Sequence, residues 1–393
     1  MGKNKRVPAI RFKGFTEEWV EKKLEEVIDL RSGKDYKHLS EGSIPVYGTG
    51  GYMLSVNDAL SYEENAIGIG RKGTINKPYI LYAPFWTVDT LFYATVKNNY
   101  DLNFVFNIFQ RIDWQKRDES TGVPSLSKVA INTIDVFISK ISEQKQIGEF
   151  FQNVDSLINA NQRKLDKLKN IKKACLEKMF PRKGSTIPEI RFKGFTEEWE
   201  EKTLGEIAPL RGGFAFESSK YKNSGIPIIR ISNIFANGTI NGDFVHYDED
   251  IDDNGFSLEK GAVLLAMSGA TTGKVAVLNN KSCDKYYQNQ RVGFFTKKIE
   301  VDYSFVSTIV GSRWFIEQLR NVLVAGAQPN VSAKDIDSFM YLIPKDKKEQ
   351  QQIGTFFKNL DNLIAKNEQQ LEKLKNIKKA CLEKMFVNKE DAI

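Results

Sequence analysis

EQKQIGEFFQNVDSLI, Glu143 to Ile158, returns 206 residues later as EQQQIGTFFKNLDNLI, Glu349 to Ile364. Apolar residues in both fall three and four apart, and the spacing continues downstream. In the first copy it runs Ile147, Phe151, Val154, Ile158, Leu165, Leu168, Cys175 and Met179. In the second it runs Ile353, Phe357, Leu360, Ile364, Leu371, Leu374, Cys381 and Met385. This is the signature of an amphipathic helix over about Ser142 to Phe180, and of its repeat. Asn161 and Asn367 fill the same gap in the two seams. One polar residue in a coiled-coil seam costs stability and fixes register. Pro181 and Gly184 mark the end of the first helix.

A further shared unit, KLKNIKKACLEKMF, closes each helix at Lys167–Phe180 and Lys373–Phe386. Its basic face suits solvent, DNA phosphates or the acidic helices of a partner. A third, PxIRFKGFTEEW, stands at Pro8–Trp19 and again at Pro188–Trp199, an offset of 180. The offset grows from 180 to 206, so the second intervening segment is the longer by 26 residues. The chain thus has a shared start, a divergent domain and a shared helix, twice over. A period this long is not a solenoid. Shared ends imply one partner surface used twice, and divergent middles imply two different targets.

The expected fold class is α+β: two mixed α/β domains and two long helices which, if they pair antiparallel, separate the domains and relate them by an internal pseudo-two-fold. The boundaries read 1–139 and 184–344 for the domains, 140–183 and 345–393 for the helices. A helix of about 39 residues spans roughly 58 Å at 1.5 Å per residue, an upper bound on the separation of the domains. One DNA turn, about 34–36 Å, is the natural spacing of two symmetric readers.

Composition narrows the function classes. The 393 residues are 41% hydrophobic, enough for sizeable cores, and carry a net charge of +7, which favours an anionic partner. No apolar run is long enough for a membrane helix, and the basic start MGKNKRVPAIRFKGF lacks the apolar core of a secretory signal. The three cysteines, Cys175, Cys283 and Cys381, are far apart and suggest neither a disulfide framework nor a zinc cluster. His38 and His246 are each isolated, with no G-x-S-x-G elbow or H-E-x-x-H helix beside them.

Two motifs imitate nucleotide loops. GIGRKG, Gly68–Gly73, matches G-x-G-x-x-G, but that fingerprint needs a following helix in a βαβ unit. Pro78 opposes a helix there, and Asp89, near the acidic offset, stands in a strand-like run. SGATTGK, Ser268–Lys274, has three residues between its glycines and Val275 after the lysine, against four and Ser/Thr for a Walker loop. Both read as turns between strands. The strand-like runs are IPVYG, NAIGIG, PYILYAP and TLFYATV in the first domain, then GIPIIRIS, GAVLLAMSG, KVAVLNN and RVGFFTK in the second.

The loops between these strands carry the residue types that read base edges and phosphates. In the first domain they are Arg71, Lys72, Thr74, Asn76 and Lys77. In the second they are Arg230, Ser232, Asn233, Ser268, Thr271, Thr272, Lys274, Asn289, Gln290, Arg291, Gln328 and Asn330. The last two lie in AGAQPNVS, which aligns with TGVPSLS around Pro124 and Pro329.

Taken together, the duplicated layout, IGRKGTINKPYI with PFWTVDTLFY, SGATTGKVAV with QNQRVGFF, GAQPNVS and the two EQxQIGxFFxNxDxLI helices resemble the specificity (S) subunits of type I restriction-modification systems. The resemblance covers essentially the whole chain. It implies two target recognition domains, each reading half of a bipartite, asymmetric double-stranded DNA sequence, with the helices as spacer. It implies docking of two methyltransferase (M) subunits, which carry S-adenosylmethionine and the adenine-N6 chemistry. Two restriction (R) subunits using ATP and Mg complete the cytoplasmic complex. This chain itself is then expected to be non-catalytic, to hold no cofactor or metal and to touch no membrane. The residues expected to serve the spacer and M docking are Ile147, Phe151, Val154, Leu165, Leu168, Ile353, Phe357, Leu360, Leu371 and Leu374. GVPSLS departs from the pattern by lacking the Gln and Asn of AQPNVS.

Overall fold

The computed structural model of the protein describes residues 6–249, 252–253, 255–279, 283–325 and 330–387. Gln328 lies outside them. Two helices of 38 residues stand where the periodicity puts them: α4 (Ile141–Lys178) and α9 (Lys347–Lys384).

The first domain contains β1 (Val20–Lys23), α1 (Leu24–Val27), β2 (Ile28–Ser32), β3 (Glu41–Gly48), β4 (Gly51–Val56), β5 (Ala66–Gly70), β6 (Tyr79–Leu81), β7 (Trp86–Thr87), β8 (Leu91–Val96), α2 (Leu102–Arg111), α3 (Lys128–Asn132) and β9 (Asp135–Ile138). The second contains β10 (Glu200–Thr203), α5 (Leu204–Ile207), β11 (Leu210–Arg211), β12 (Ile226–Ile229), β13 (Val245–Tyr247), β14 (Ser257–Glu259), β15 (Val263–Ala266), β16 (Val275–Val277), β17 (Lys285–Gln288), β18 (Val292–Phe295), α6 (Tyr303–Val310), α7 (Arg313–Ala325), α8 (Ala333–Asp337) and β19 (Met340–Ile343).

The two domains share one topology. The sheet β2-β8-β5-β6 corresponds to β11-β18-β15-β16, and β4-β3-β7 to β13-β12-β17 with β14 added. β3 pairs parallel with β7, as β12 does with β17. The antiparallel pair β1–β9 returns as β10–β19. Part of the extra length of the second domain lies between β12 and β13. That connection runs 230–244, where β3 and β4 are joined by Thr49–Gly50 alone. Asp89, read as part of a strand, sits in the turn between β7 and β8.

The chain divides into two compact units, residues up to 164 with 367 onward, and residues 165–366. The division cuts both long helices. Within the first unit Asp155 is ion-paired with Lys378 at 2.6 Å, and the Asn367 amide donates to the Asn161 carbonyl at 3.0 Å. Within the second, Lys172 meets Asp361 at 2.6 Å and the Phe180 ring meets Phe357 at 6.3 Å. As one number rises its partner's falls, so the helix segments run antiparallel in each unit. The two ion pairs are the repeat of one another, and the seam asparagines meet across the pair.

The motif EQxQIG is explained by what lies on it. Glu143 accepts two hydrogen bonds from Arg11, Nε at 2.6 Å and Nη2 at 2.8 Å, and its side chain is fully buried. Glu349 and Arg191 repeat this at the same distances. Gln144 accepts from the Asp101 N–H and donates to the Ser139 carbonyl, and Gln350 does the same with Asp302 and Pro344. Asp101 and Asp302 are the N-caps of α2 and α6, each accepting from backbone N–H groups of the first turn. Gly148 leaves that end room, because a Cβ there would fall 2.2 Å from Asp101 Oδ1. The motif is a latch that holds a domain helix end-on against the long helix.

Ile147, Phe151, Ile353 and Phe357, expected to serve the spacer and M docking, are buried in the cores of the domains and present no surface to a docked partner. The first two cluster with Trp19 and Phe104, the second two with Trp199 and Phe305. Helical spacing says which residues share a face; it does not say what covers that face. Val154, Leu165, Leu360 and Leu371 are buried, and Leu168 and Leu374 are half-buried.

Candidate nucleic-acid interface

β5 is buried throughout and ends at Gly70. A Cβ at Gly70 would lie 2.1 Å from the Thr74 carbonyl oxygen, and Gly73 adopts φ +93°. These two glycines therefore make a tight turn between antiparallel strands, with no helix behind it. The turn is pinned on both sides. The Arg71 N–H donates to the Thr90 carbonyl at 2.8 Å, the Gly73 N–H to Pro124 at 2.8 Å, and Leu126 N–H to the Arg71 carbonyl at 2.9 Å. The loops GIGRKG, VDT and VPSLS are thereby brought together.

The second domain repeats two of these three bonds among the described residues. Met267 N–H donates to the Arg291 carbonyl at 3.0 Å, and Val331 N–H to the Met267 carbonyl at 3.0 Å. Leu91 N–H to Val88 O is matched by Val292 N–H to Asn289 O, both at 2.9 Å. Position for position, Arg71 corresponds to Met267, Lys72 to Ser268, Asp89 to Gln290, Thr90 to Arg291 and Ser125 to Asn330. One backbone frame presents two different sets of side chains.

The expected contact residues divide in this setting. Arg71, Lys72, Asn76, Lys77, Gln290, Arg291 and Asn330 are exposed, while Thr74, Arg230, Ser268, Lys274 and Asn289 are half-buried. The Arg71 guanidinium stacks 5.7 Å from the Phe92 ring centroid and reaches the Asp89 carbonyl at 3.4 Å. It overlooks a cleft of about 660 Å³ bordered by Ser32, Lys72, Asp89, Glu119 and Lys128. Asn233 is a correction. It is 2% exposed, and its amide donates to the Asn241 and Asp243 carbonyls while its oxygen accepts from Arg230 N–H. It shapes its loop from within and has no donor left for a base. Thr271 and Thr272 likewise donate to the Ser268 and Gly269 carbonyls of their own turn.

Sequence reasoning passed over the supports. Gln288 is fully buried, donates to the Arg211 and Val292 carbonyls and accepts from the Arg211 guanidinium. It fixes the strand end that leads into Asn289–Arg291, and its polarity made it resemble its exposed neighbours. Asp118 closes the loop before Ser125, accepting from the Ser125 N–H at 2.9 Å and from Ser120 N–H and Oγ. The Ser125 backbone bond, then those from Ser120, hold its carboxyl below the ordinary value of 3.8. This stabilisation is fully present above 3.8 and is lost as pH falls from there through the lower folded value. The protection factors of the Ser120 and Ser125 amides, measured relative to intrinsic exchange at each pH, are therefore expected to fall on acidification, and Asp118→Asn to remove that pH dependence. Protection factors unchanged between pH 6 and pH 2.5 would contradict it.

Among the described residues no three His, Cys, Asp or Glu side chains gather as a metal site, and no helix is long and apolar enough to cross a membrane. The family model described as type I restriction modification DNA specificity domain matches residues 16–170 and again 196–376. The type I restriction enzyme MjaVIII specificity subunit of Methanocaldococcus jannaschii is 25% identical over 290 residues, 70% of this chain and 66% of that protein. The putative MjaX specificity subunit of the same organism is 24% identical over 303 residues, 72% and 64% respectively. The chain thus spans slightly less than two thirds of the length of these relatives. The crystal structure of a type-I restriction-modification system S subunit from M. genitalium shares the fold, with a TM-score of 0.74 at 14% identity over 97% of this chain and 99% of that one. One match falls on each copy of the repeat and together they cover most of the sequence: the chain belongs to the family of type I restriction-modification DNA specificity domains, and carries that domain twice.

Proposed function

We propose that this chain is the DNA-reading subunit of a type I restriction-modification complex, in which each domain recognises one half of a bipartite, asymmetric target. The observation that carries the reading is the repeated loop frame filled with different side chains. Two copies of one reader with one set of contacts would read a symmetric site; two sets read an asymmetric one. The chain positions the complex and performs no bond-making step. Adenine-N6 methylation, with its S-adenosylmethionine, belongs to M subunits, and cleavage driven by ATP and Mg to R subunits.

The identical surfaces support binding of one partner twice. Leu157 and Ile377 are exposed in the first unit, and their repeat equivalents Leu363 and Ile171 are exposed in the second. Beside them lies a groove in each unit, walled by Lys379, Leu382 and Glu383 in the first and by Lys173, Leu176 and Glu177 in the second. Such exposed apolar positions with basic rims fit an M subunit docked on each unit.

Exchanging residues 20–139 for another family member's domain tests the reading. Mapping methylated adenines in cells expressing the hybrid with its M subunits should show one half-site replaced and the other retained. A hybrid that changes both halves, or neither, refutes it.

A further inference from the structure

Beside the turn that follows β7 and β17 there is a position that sequence reasoning did not select. Gly33 and Gly213 are wedged against the ends of these strands. A Cβ at Gly33 would lie 2.0 Å from Val88 O and 2.6 Å from Thr87 O, and one at Gly213 2.3 Å from Asn289 O and 2.5 Å from Gln288 O. Only glycine lets the backbones approach this closely. The following residue is then tied down identically: Lys34 N–H donates to Thr87 O at 2.9 Å, and Phe214 N–H to Gln288 O at 2.9 Å. Residues 34 and 214 are one place in the common frame, each fixed by backbone to the strand that feeds Val88–Thr90 or Asn289–Arg291.

The occupants differ in kind. Lys34 is exposed, and its carbonyl accepts the Trp86 indole N–H at 2.9 Å. Phe214 is 46% exposed, with its ring held by Phe256 at 4.7 Å and Phe216 at 5.0 Å. A single exposed phenylalanine is ordinary on a protein surface. This one is rigidly mounted at the rim of polar turns carrying Gln290 and Arg291, where the other domain carries a cation.

We infer that position 34/214 is a matched specificity position: Lys34 contacts a base edge in one half-site, and Phe214 makes the corresponding apolar contact in the other. A lysine donates to guanine O6 and N7, whereas an aromatic ring packs on the thymine methyl or wedges into a base step. The inference rests on the DNA-reading function proposed above and adds to it which residues discriminate.

The test is selection from a randomised duplex library by the full chain with its M subunits bound, comparing wild type with Lys34→Ala, Phe214→Ala and Phe214→Tyr. Lys34→Ala removes an exposed side chain and leaves the fold intact. Phe214→Tyr keeps the ring packing and polarises the ring tip, so it serves where alanine unfolds the domain. Lys34→Ala is expected to lose roughly ten- to hundredfold discrimination at one base of one half-site. The Phe214 variants are expected to do so at one base of the other half-site. A uniform loss of affinity across all sequences would mark a phosphate contact and overturn the assignment, as would an unchanged motif in either set of variants. A wild-type complex that selects no motif would sink the DNA-reading function itself, and this inference with it.

Discussion

Phe386→Ala is expected to lower the stability of the first unit by about 3–5 kcal/mol, the usual cost of emptying a buried aromatic site. Phe386 is 2% exposed and sits just past the end of α9. Its ring meets Phe104 at 5.3 Å, Trp19 at 5.8 Å and Phe151 at 6.1 Å, and the Arg111 guanidinium lies 5.0 Å from its centroid. Residues from three separate segments thus close on one side chain. Met385 and Val387 are buried in the same cluster, so the surroundings have few ways to collapse into the gap. Hydrogen exchange should localise the loss, with protection of α2 amides falling together with the global midpoint in urea. Phe180→Ala is the internal replicate, because Phe180 meets Trp199 at 5.6 Å, Phe305 at 5.9 Å and Trp314 at 4.9 Å in the second unit. A loss below about 1 kcal/mol for Phe386→Ala would mean that α9 does not anchor the first domain, and its place in this core would have to be abandoned.

This anchoring marks where the sequence stops being legible. The repeat identifies where both long helices begin to within a few residues, because 3.6-residue periodicity is local and each helix carries it over its length. The run NAIGIG is identifiable as strand plus turn because Pro78 forbids the alternative, and the structure places β5 there. Glu143, Gln144 and Gly148 give no such signal. A polar helix N-terminus normally faces water, yet here Glu143 and Gln144 are buried because residues some 40 and 130 positions earlier in the chain cover them. The interface divides in the same way. Exposed Arg71, Gln290 and Arg291 stand where polar loops are expected, while Asn233 and Gln288 have the same composition and spend it inward. Lys34 and Phe214 escape notice because their significance lies in the carbonyl each is tied to, which only the paired fold reveals.

Glu143→Ala carries the other large effect, an expected loss of about 3–5 kcal/mol through an uncompensated buried charge. With Glu143 gone, the Arg11 guanidinium keeps one bond, from Nη1 to the Glu17 carbonyl at 2.6 Å. Its side chain is only 13% exposed, so water replaces the lost carboxylate poorly. The cost belongs to the orphaned cation more than to the pair, and this separates two explanations. If the pair itself supplied the stability, Arg11→Met with Glu143→Met would be at least as harmful as the single change. If desolvation nearly cancels attraction, as for most buried pairs, the double variant recovers most of the loss while the single variant does not. Recovery is the expected result in urea titrations, and the Arg191–Glu349 pair, built at the same distances, should repeat it in the second unit. A double variant as unstable as Glu143→Ala would show that the ion pair adds net stability. Near-native stability with altered methylation would assign it another role: holding IRFKGF between the two helix ends it touches, where Ile10 N–H donates to Lys384 O at 2.8 Å, so that the recognition domain keeps its angle to the helix that carries it.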